Sequence, residues 1–322
     1  MIVVTGGAGF IGSAFVSKLN QENISNIIII DELGPSDKWK NLAGKIFSDY
    51  LHKDIFVALL EENKLPKLDA IIHMGANSST TERNVVHLME NNYRYSRRLA
   101  EWSMKNKVRF IYASSAATYG NGELGFSDED EVSEKLHPLN AYGYSKQLFD
   151  LWAIQSKAVD KIAGIKFFNV FGPNEYHKGE MKSLLYKAYY QIQQQGIVKL
   201  FKSYKPEYKD GEQMRDFVYI KDCIDVLWWF LNTPSVNGIY NLGTGKSRPW
   251  NDLVQAVFAA LNLPLNIVYI EMPVSIRDAY QYHTEAVMTK LHNAGYPVAF
   301  RTLEDSVKDY VQNYLHPVLR YI

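Results

Sequence analysis

The string Thr5-Gly6-Gly7-Ala8-Gly9-Phe10-Ile11-Gly12 constrains this chain more than any other, because it joins an apolar run at 1–4 to a helical pattern over 10–20. Glycines permit a tight strand-to-helix turn and let the backbone approach a pyrophosphate, which the helix N-terminus receives with unpaired N–H groups. Both Gly7-x-Gly9-x-x-Gly12 and Gly6-x-x-Gly9-x-x-Gly12 are present. Glycine spacing alone carries little weight. The strand before it and the helix after it make it a dinucleotide-binding turn.

The rest of the chain is consistent with such a turn. Further apolar runs at 27–30, 70–73, 109–113 and 163–168 alternate with helical stretches, clearest at 87–105 and 141–157. Such alternation predicts a parallel sheet with right-handed crossovers, its strands buried on both faces. The expected fold is α/β: a Rossmann-type doubly wound parallel sheet with a smaller, discontinuous α/β substrate domain. Residues 1–170 are read as the dinucleotide-binding domain, with returning segments at about 215–242; 171–214 and about 243–322 are read as mainly substrate domain. Polar loops at 173–182 and 202–213 flank an expected helix over about 183–195. Strands are expected at 215–220, 239–242 and 267–270, and a helix at 222–231. The chain from Trp250 onward reads as mostly helical.

Composition narrows the partners. Across 322 residues, Lys plus Arg and Asp plus Glu balance at 35 each, so no whole-protein field draws nucleic acid or an anionic membrane. No apolar run reaches membrane-spanning length. The single cysteine, Cys223, excludes a disulfide framework, and the eight histidines lack metal-ligand spacing; no metal is expected. His73 reads as a packing residue. With no leader pattern at the N-terminus, the expected setting is a reducing cytoplasm.

Tyr142 and Lys146 stand i, i+4 and share one helical face. A free tyrosine titrates near pH ~10 and is a poor base at neutrality. A lysine ammonium and a positive oxidised nicotinamide favour its phenolate, which can take a hydroxyl proton while the carbon loses hydride. Ser115 ends a predicted strand, where ligands bind in open α/β sheets, and is placed to hydrogen-bond the reacting oxygen. Tyr144 reads as a packing aromatic. Asp31, about 20 residues past the turn, is placed to hydrogen-bond the adenosine ribose, which favours NAD. Lys38 and Lys53 are able to neutralise a 2′-phosphate, so NADP stays open.

The glycine turn, Ser115, Tyr142 and Lys146 together resemble the extended short-chain dehydrogenase/reductase superfamily, the NAD-dependent epimerase/dehydratases that handle nucleotide sugars. The likeness runs through Asn169-Val170-Phe171-Gly172-Pro173 and Arg215-Asp216-Phe217-Val218-Tyr219. More specific strings resemble one family within it, ADP-L-glycero-D-manno-heptose 6-epimerase: His73-Met74-Gly75-Ala76-Asn77-Ser78-Ser79-Thr80-Thr81, Asn91-Asn92-Tyr93, Ser114 through Gly120, His177-Lys178-Gly179, Leu200-Phe201 and Tyr280-Gln281. This resemblance implies a cytoplasmic enzyme of lipopolysaccharide core heptose biosynthesis. It implies tightly bound NADP (NAD as the alternative), one per subunit, a nucleotide-sugar substrate, and a homo-oligomer, often a pentamer.

The resemblance also implies residue roles. Tyr142 and Lys178 are the acid/base pair, with Lys146 and Ser115 assisting. Cofactor contacts fall on Gly6, Gly9, Phe10, Ile11, Gly12, Asp31, Glu32, Lys38, Lys53, Met74, Gly75, Ala76, Asn77, Ser78, Asn91, Lys146 and Val170. Substrate contacts fall on Ser115, Asn169, Glu180, Lys187, Phe201, Lys202, Ser203, Tyr204, Arg215 and Tyr280. Glu180 and Lys187 depart from the family pattern, which has a small hydroxyl residue and a histidine there, and the 202–213 loop is longer.

Chemistry explains why such an enzyme needs two acid/base groups. The C6 hydrogen of the heptose is not acidic, because no adjacent carbonyl stabilises a carbanion. Oxidation to a ketone flattens C6, and hydride return to the other face inverts it. The ketone turns over between the steps, so its oxygen meets a different residue each time. A UDP-sugar 4-epimerase and a nucleotide-sugar reductase are the enzymatic alternatives. A dinucleotide sensor with a dead site is the non-catalytic one, opposed by intact Ser115, Tyr142 and Lys146. Ala116 and Ala117 stand where a 4,6-dehydratase needs acids.

Overall fold

The structure is a computed structural model that describes residues 1–277, 280–316 and 319–322. Its strands are β1 (Ile2–Thr5), β2 (Ile27–Asp31), β3 (Asp49–His52), β4 (Ala70–His73), β5 (Arg109–Ser115), β6 (Ala163–Phe167), β7 (Asn169–Phe171), β8 (Val198–Phe201), β9 (Met214–Tyr219), β10 (Gly238–Leu242), β11 (Ser247–Pro249) and β12 (Ile267–Ile270). Seven of them form one sheet in the order β10-β6-β5-β4-β1-β2-β3, every neighbouring pair parallel. Strand order reverses at β1, between β2 and β4, and there the crevice beyond the carboxyl ends takes ligands.

The apolar runs form these strands because both sheet faces are covered. Val4, Ile29, Ile72, Ile111 and Ile165 enter the core on one face; Val3, Ile28, Ile71 and Phe110 enter the other. Side chains alternate along a strand, so only a continuous apolar run fills both cores. Each fully buried Val or Ile contributes about 1.5–3 kcal/mol.

All expected strands are present, within a residue or two at their ends. Four others lie beyond the sequence reading. β3, an edge strand, and β11 keep partly exposed residues, and β7 and β11 have only three residues each. β9 pairs in parallel with β7 and antiparallel with β11, while β12 pairs with β8. The expected helix over 87–105 is broken by a π-helical turn at Met89–Arg94, between Val85–Leu88 and Tyr95–Lys105.

The expectation of mostly helix after Trp250 needs correcting. Helices form at Trp250–Ala260 and Leu303–Tyr310, but residues 280–288 run irregularly, with Tyr282, Thr284, Ala286 and Met288 buried in alternation. That is the period of extended chain. The segment lies beside β9, the Met214 N–H donating to the Tyr282 carbonyl at 2.8 Å. Among the described residues no helix is long and apolar enough to cross a membrane.

Candidate active site

A cleft of about 1220 Å³ runs from the glycine turn across the ends of β4 and β5 to β9. Single ligands of drug size occupy pockets of about 300–1,000 Å³, so this one has room for two molecules. It collects every residue expected to contact the cofactor, together with Ser115, Tyr142, Asn169, Lys178, Arg215 and Tyr280.

The glycine turn is shaped for a pyrophosphate. Gly6 has φ of +63°, and a Cβ there would sit 2.6 Å from the Gly75 nitrogen. A Cβ on Gly12 would sit 2.2 Å from the Gly6 carbonyl oxygen. The Phe10–Gln21 helix is capped by Gly9 without a side-chain bond and has no acid in its first turn, so its amides face the cleft with nothing to repel an anion. These donors fit a dinucleotide.

Asp31 lines the cleft and is already engaged by the protein itself. It accepts from the Ala8 N–H at 2.8 Å and the Glu32 N–H at 2.7 Å, and it pairs with the Lys38 ammonium. Lys53 pairs with Glu32 at 3.1 Å and donates to Asn91 at 2.9 Å. His73 packs as expected, between the Thr5 hydroxyl at 2.6 Å and the Ser96 hydroxyl at 2.7 Å. Burial, reinforced by the charge of Lys146, lowers it to about 3, so it is neutral. The π-helical turn has a use here. It aims buried Asn92 at both the N–H and the carbonyl of Asn77 (2.9 Å each) and at the Ser145 hydroxyl (3.0 Å).

Tyr142 and Lys146 project from the Ala141–Gln155 helix, which Asn140 caps by accepting from the Gly143 N–H at 2.8 Å. The Ser115 hydroxyl, which accepts from the Ala117 N–H at 3.1 Å, acts on the Tyr142 phenol to lower its pKa. Buried Lys146 donates to the Ala113 carbonyl at 2.8 Å, and burial lowers it to about 8. Burial raises the Tyr142 pKa, with Ser115 opposing it and Asp150 adding to it. Tyr144 is exposed, against its reading as a packing aromatic, because it points away from the face carrying Tyr142 and Lys146.

Beneath this trio lies a buried ion pair that no motif announced. Asp150 accepts from the Tyr112 hydroxyl at 2.9 Å and the Ser114 hydroxyl at 2.6 Å, with the Lys166 ammonium 3.4 Å away. Lys166 donates to the Thr118 hydroxyl (3.1 Å), which donates to the Ser115 carbonyl (2.8 Å). The strand end that carries Ser115 is thus held at three successive residues, by Lys146, Asp150 and Thr118.

Lys178 reaches across the cleft from the loop after β7. Its ammonium lies 5.1 Å from the Phe10 ring centroid, and burial lowers its pKa while Glu175 opposes that. The loop is fastened on both sides. The Asn174 amide donates to the Ser13 hydroxyl at 2.9 Å, and the Asn41 amide donates to the Asn174 carbonyl at 3.1 Å. Buried Glu175 accepts from the Ser183 hydroxyl at 2.7 Å and the Tyr310 hydroxyl at 3.1 Å.

At the far end Arg215 is buried against Trp250 and Tyr280, while its neighbour Asp216 turns away to accept from the Thr244, Gly245 and Ala286 amides at 2.7–3.0 Å. Trp250, Leu253 and Thr284 line this end and were missed, since no motif marks them. Six expected substrate residues lie outside the lining. Glu180 and Lys187 pair with each other at 3.3 Å on the surface. Phe201 meets the Tyr280 ring edge-on at 6.4 Å, and Lys202 pairs with Glu271 at 2.7 Å. The Ser203 N–H donates to Asp210 at 2.7 Å, and Tyr204 accepts from Arg277 at 2.8 Å.

Known proteins resemble this chain along its length. Residues 2–243 match the NAD dependent epimerase/dehydratase family. ADP-L-glycero-D-manno-heptose-6-epimerase of Nitratidesulfovibrio vulgaris (strain DP4) is 57% identical over 316 residues, 98% of each chain. Its counterpart in Fusobacterium nucleatum is 49% identical over 325 residues, again 98% of each. The crystal structure of the Helicobacter pylori ADP-L-glycero-D-manno-heptose-6-epimerase superposes with a TM-score of 0.83 at 29% identity, covering 98% of this chain and 96% of that one.

Proposed function

Because the chain belongs to the NAD dependent epimerase/dehydratase family, we propose that its cleft inverts C6 of an ADP-linked heptose. It is an isomerase that interconverts ADP-D-glycero-D-manno-heptose and ADP-L-glycero-D-manno-heptose. One observation carries the reading: the Ser115–Tyr142–Lys146 constellation and the buried Arg215, which pairs with no carboxylate among the described residues, share one cleft with the glycine turn. A proton-transfer site and an anion site at its two ends suit a diphosphate-linked sugar whose far carbon reacts.

A nicotinamide dinucleotide bound on the glycine turn supplies the hydride acceptor and donor. NADP is our choice, since Lys38 and Lys53 offset Asp31 and Glu32 beside the site of a 2′-phosphate. Ser115 holds the reacting oxygen. Tyr142 receives the C6 hydroxyl proton in one orientation of the sugar, and the Lys146 ammonium offsets the negative charge that develops there. After the ketone turns over, Lys178 faces its oxygen and provides the proton as C6 is reduced. No oxidant is consumed.

Residues 1–170, with the strand returning at β10, carry the dinucleotide in this reading, and the remainder mainly holds the sugar nucleotide. The enzyme works in the cytoplasm as a homo-oligomer with one tightly held cofactor per subunit. The test is to incubate purified protein with ADP-D-glycero-D-manno-heptose and follow C6 by NMR. The C6 epimer is expected. An unchanged heptose alongside turnover of UDP-glucose to its 4-epimer would overturn the assignment.

A further inference from the structure

Arg215 presents an unusual balance. It is buried and faces the cleft, yet among the described residues no carboxylate acts on it. Its only side-chain hydrogen bond among the described residues goes to the carbonyl of its neighbour Met214, at 2.8 Å. The guanidinium lies instead over two adjoining rings, 5.4 Å from the centroids of Trp250 and of Tyr280. Those rings are tied to each other, the Trp250 indole N–H donating to the Tyr280 hydroxyl at 3.1 Å. Trp250 also packs on Phe217 at 5.0 Å, and its backbone N–H donates to the Gln213 carbonyl at 3.2 Å. It therefore touches both groups that face the substrate at this end and anchors them to β9 and the turn before it.

A buried cation without a counter-charge is costly to keep, and it is retained where an anion completes it. Stacking engages the flat faces of a guanidinium and leaves its edge N–H groups free for a bidentate oxygen pair. An arginine without the stack samples many rotamers, and binding an anion then costs the entropy of ordering them. We propose that Trp250 is a positioning residue for the substrate diphosphate: it holds the Arg215 guanidinium by its ring and the Tyr280 hydroxyl by its N–H, so both meet the phosphates already aimed. This rests on the nucleotide-sugar assignment of the cleft.

The test uses protein saturated with NADP, which occupies the adenosine site on the glycine turn, and titrates in ADP by calorimetry. Wild type, Trp250→Phe and Trp250→Leu are compared. Trp250→Phe keeps a ring beside Arg215 but loses the N–H that holds Tyr280, so it should fall between wild type and Trp250→Leu. Trp250→Leu removes the stack and should weaken ADP about tenfold, the scale of a desolvated cation–π contact. NADP affinity should hold in both. With the sugar nucleotide, Trp250→Leu should raise KM in proportion while leaving kcat unchanged. Wild-type ADP affinity in Trp250→Leu would overturn the proposal, as would a parallel loss of NADP binding, which marks general damage. Equal losses in the two variants would overturn the stacking account. Failure of wild type itself to bind ADP would overturn the nucleotide-sugar assignment together with this inference.

Discussion

On the wall of the cleft built from the ends of β1, β2, β4 and β5, polar side chains satisfy one another. Asp31 takes Ala8 and Lys38, His73 joins Thr5 to Ser96, Asn92 closes on Asn77, and Asp150 holds Ser114, Tyr112 and Lys166. On the facing wall, Arg215 and Lys178 lie against aromatic rings, and among the described residues no carboxylate forms an ion pair with them. Those side chains of the first wall are held within the protein, as suits the wall proposed to carry the dinucleotide. The second holds positive charge and donors, as suits the phosphate grip and proton exchange proposed for it. Preorganisation on one side and unmet charge on the other divide the labour of the site.

The sharpest way to break this contrast is at Tyr142. Tyr142→Phe keeps the ring but removes the proton acceptor, so cofactor binding should persist while turnover falls about 100-fold to 10,000-fold. Steady-state kinetics beside a cofactor titration decides it; near-normal turnover would leave the finished wall without its chemistry.

The buried pair comes next. Asp150→Asn leaves Lys166 charged without its partner and should cost about 3–5 kcal/mol of stability in denaturant unfolding. The double variant Asp150→Asn with Lys166→Met should recover part of that loss. Equal melting of the single variant and wild type would mean that the wall is less tightly satisfied than its distances indicate.

Lys178→Met probes the facing wall. Turnover should fall by about 100-fold with little change in substrate affinity, the pattern of a group that acts mainly in the transition state. Collapse of affinity with turnover intact at saturation would make Lys178 a phosphate clamp, a role its place over Phe10 also permits.

The smallest effect is in pH. Burial puts the Lys146 pKa at about 8, so its ammonium is present below that value and is lost as pH rises through it. Assistance to Tyr142 is then strongest on the acid side, and kcat/KM should decline above pH 8, by at most about tenfold per unit. Lys146→Met should lack this limb. A decline that persists unchanged in that variant would assign it to another group.

The same division decided what the sequence could reveal. The finished wall is built from strands that are apolar on both faces and from ligand-binding positions at their ends, so Gly6, Gly9, Gly12, Ser115, Tyr142 and Lys146 were legible from pattern and position. The Asp150–Lys166 pair was not, because each residue looks like a surface charge until β5, β6 and the helix are packed together. Tyr144 misled for the opposite reason: an aromatic beside two site residues on a helix lies on another face. The facing wall gathers residues from β9, from Trp250 and from the extended 280–288 segment, whose alternation was hidden by the helical texture around it. Resemblance supplied Arg215 and Tyr280 there, and nothing supplied Trp250. It also nominated Glu180, Lys187 and Lys202, which the structure places in surface ion pairs.

The central claim is that C6 is inverted by removing and returning one hydride inside a closed site. Substrate deuterated at C6 tests it directly. After complete reaction in ordinary water, the account predicts product with inverted C6 and the deuterium still on that carbon, read by NMR and mass. Loss of deuterium to solvent would contradict it, because only deprotonation or escape of the reduced cofactor exchanges that atom.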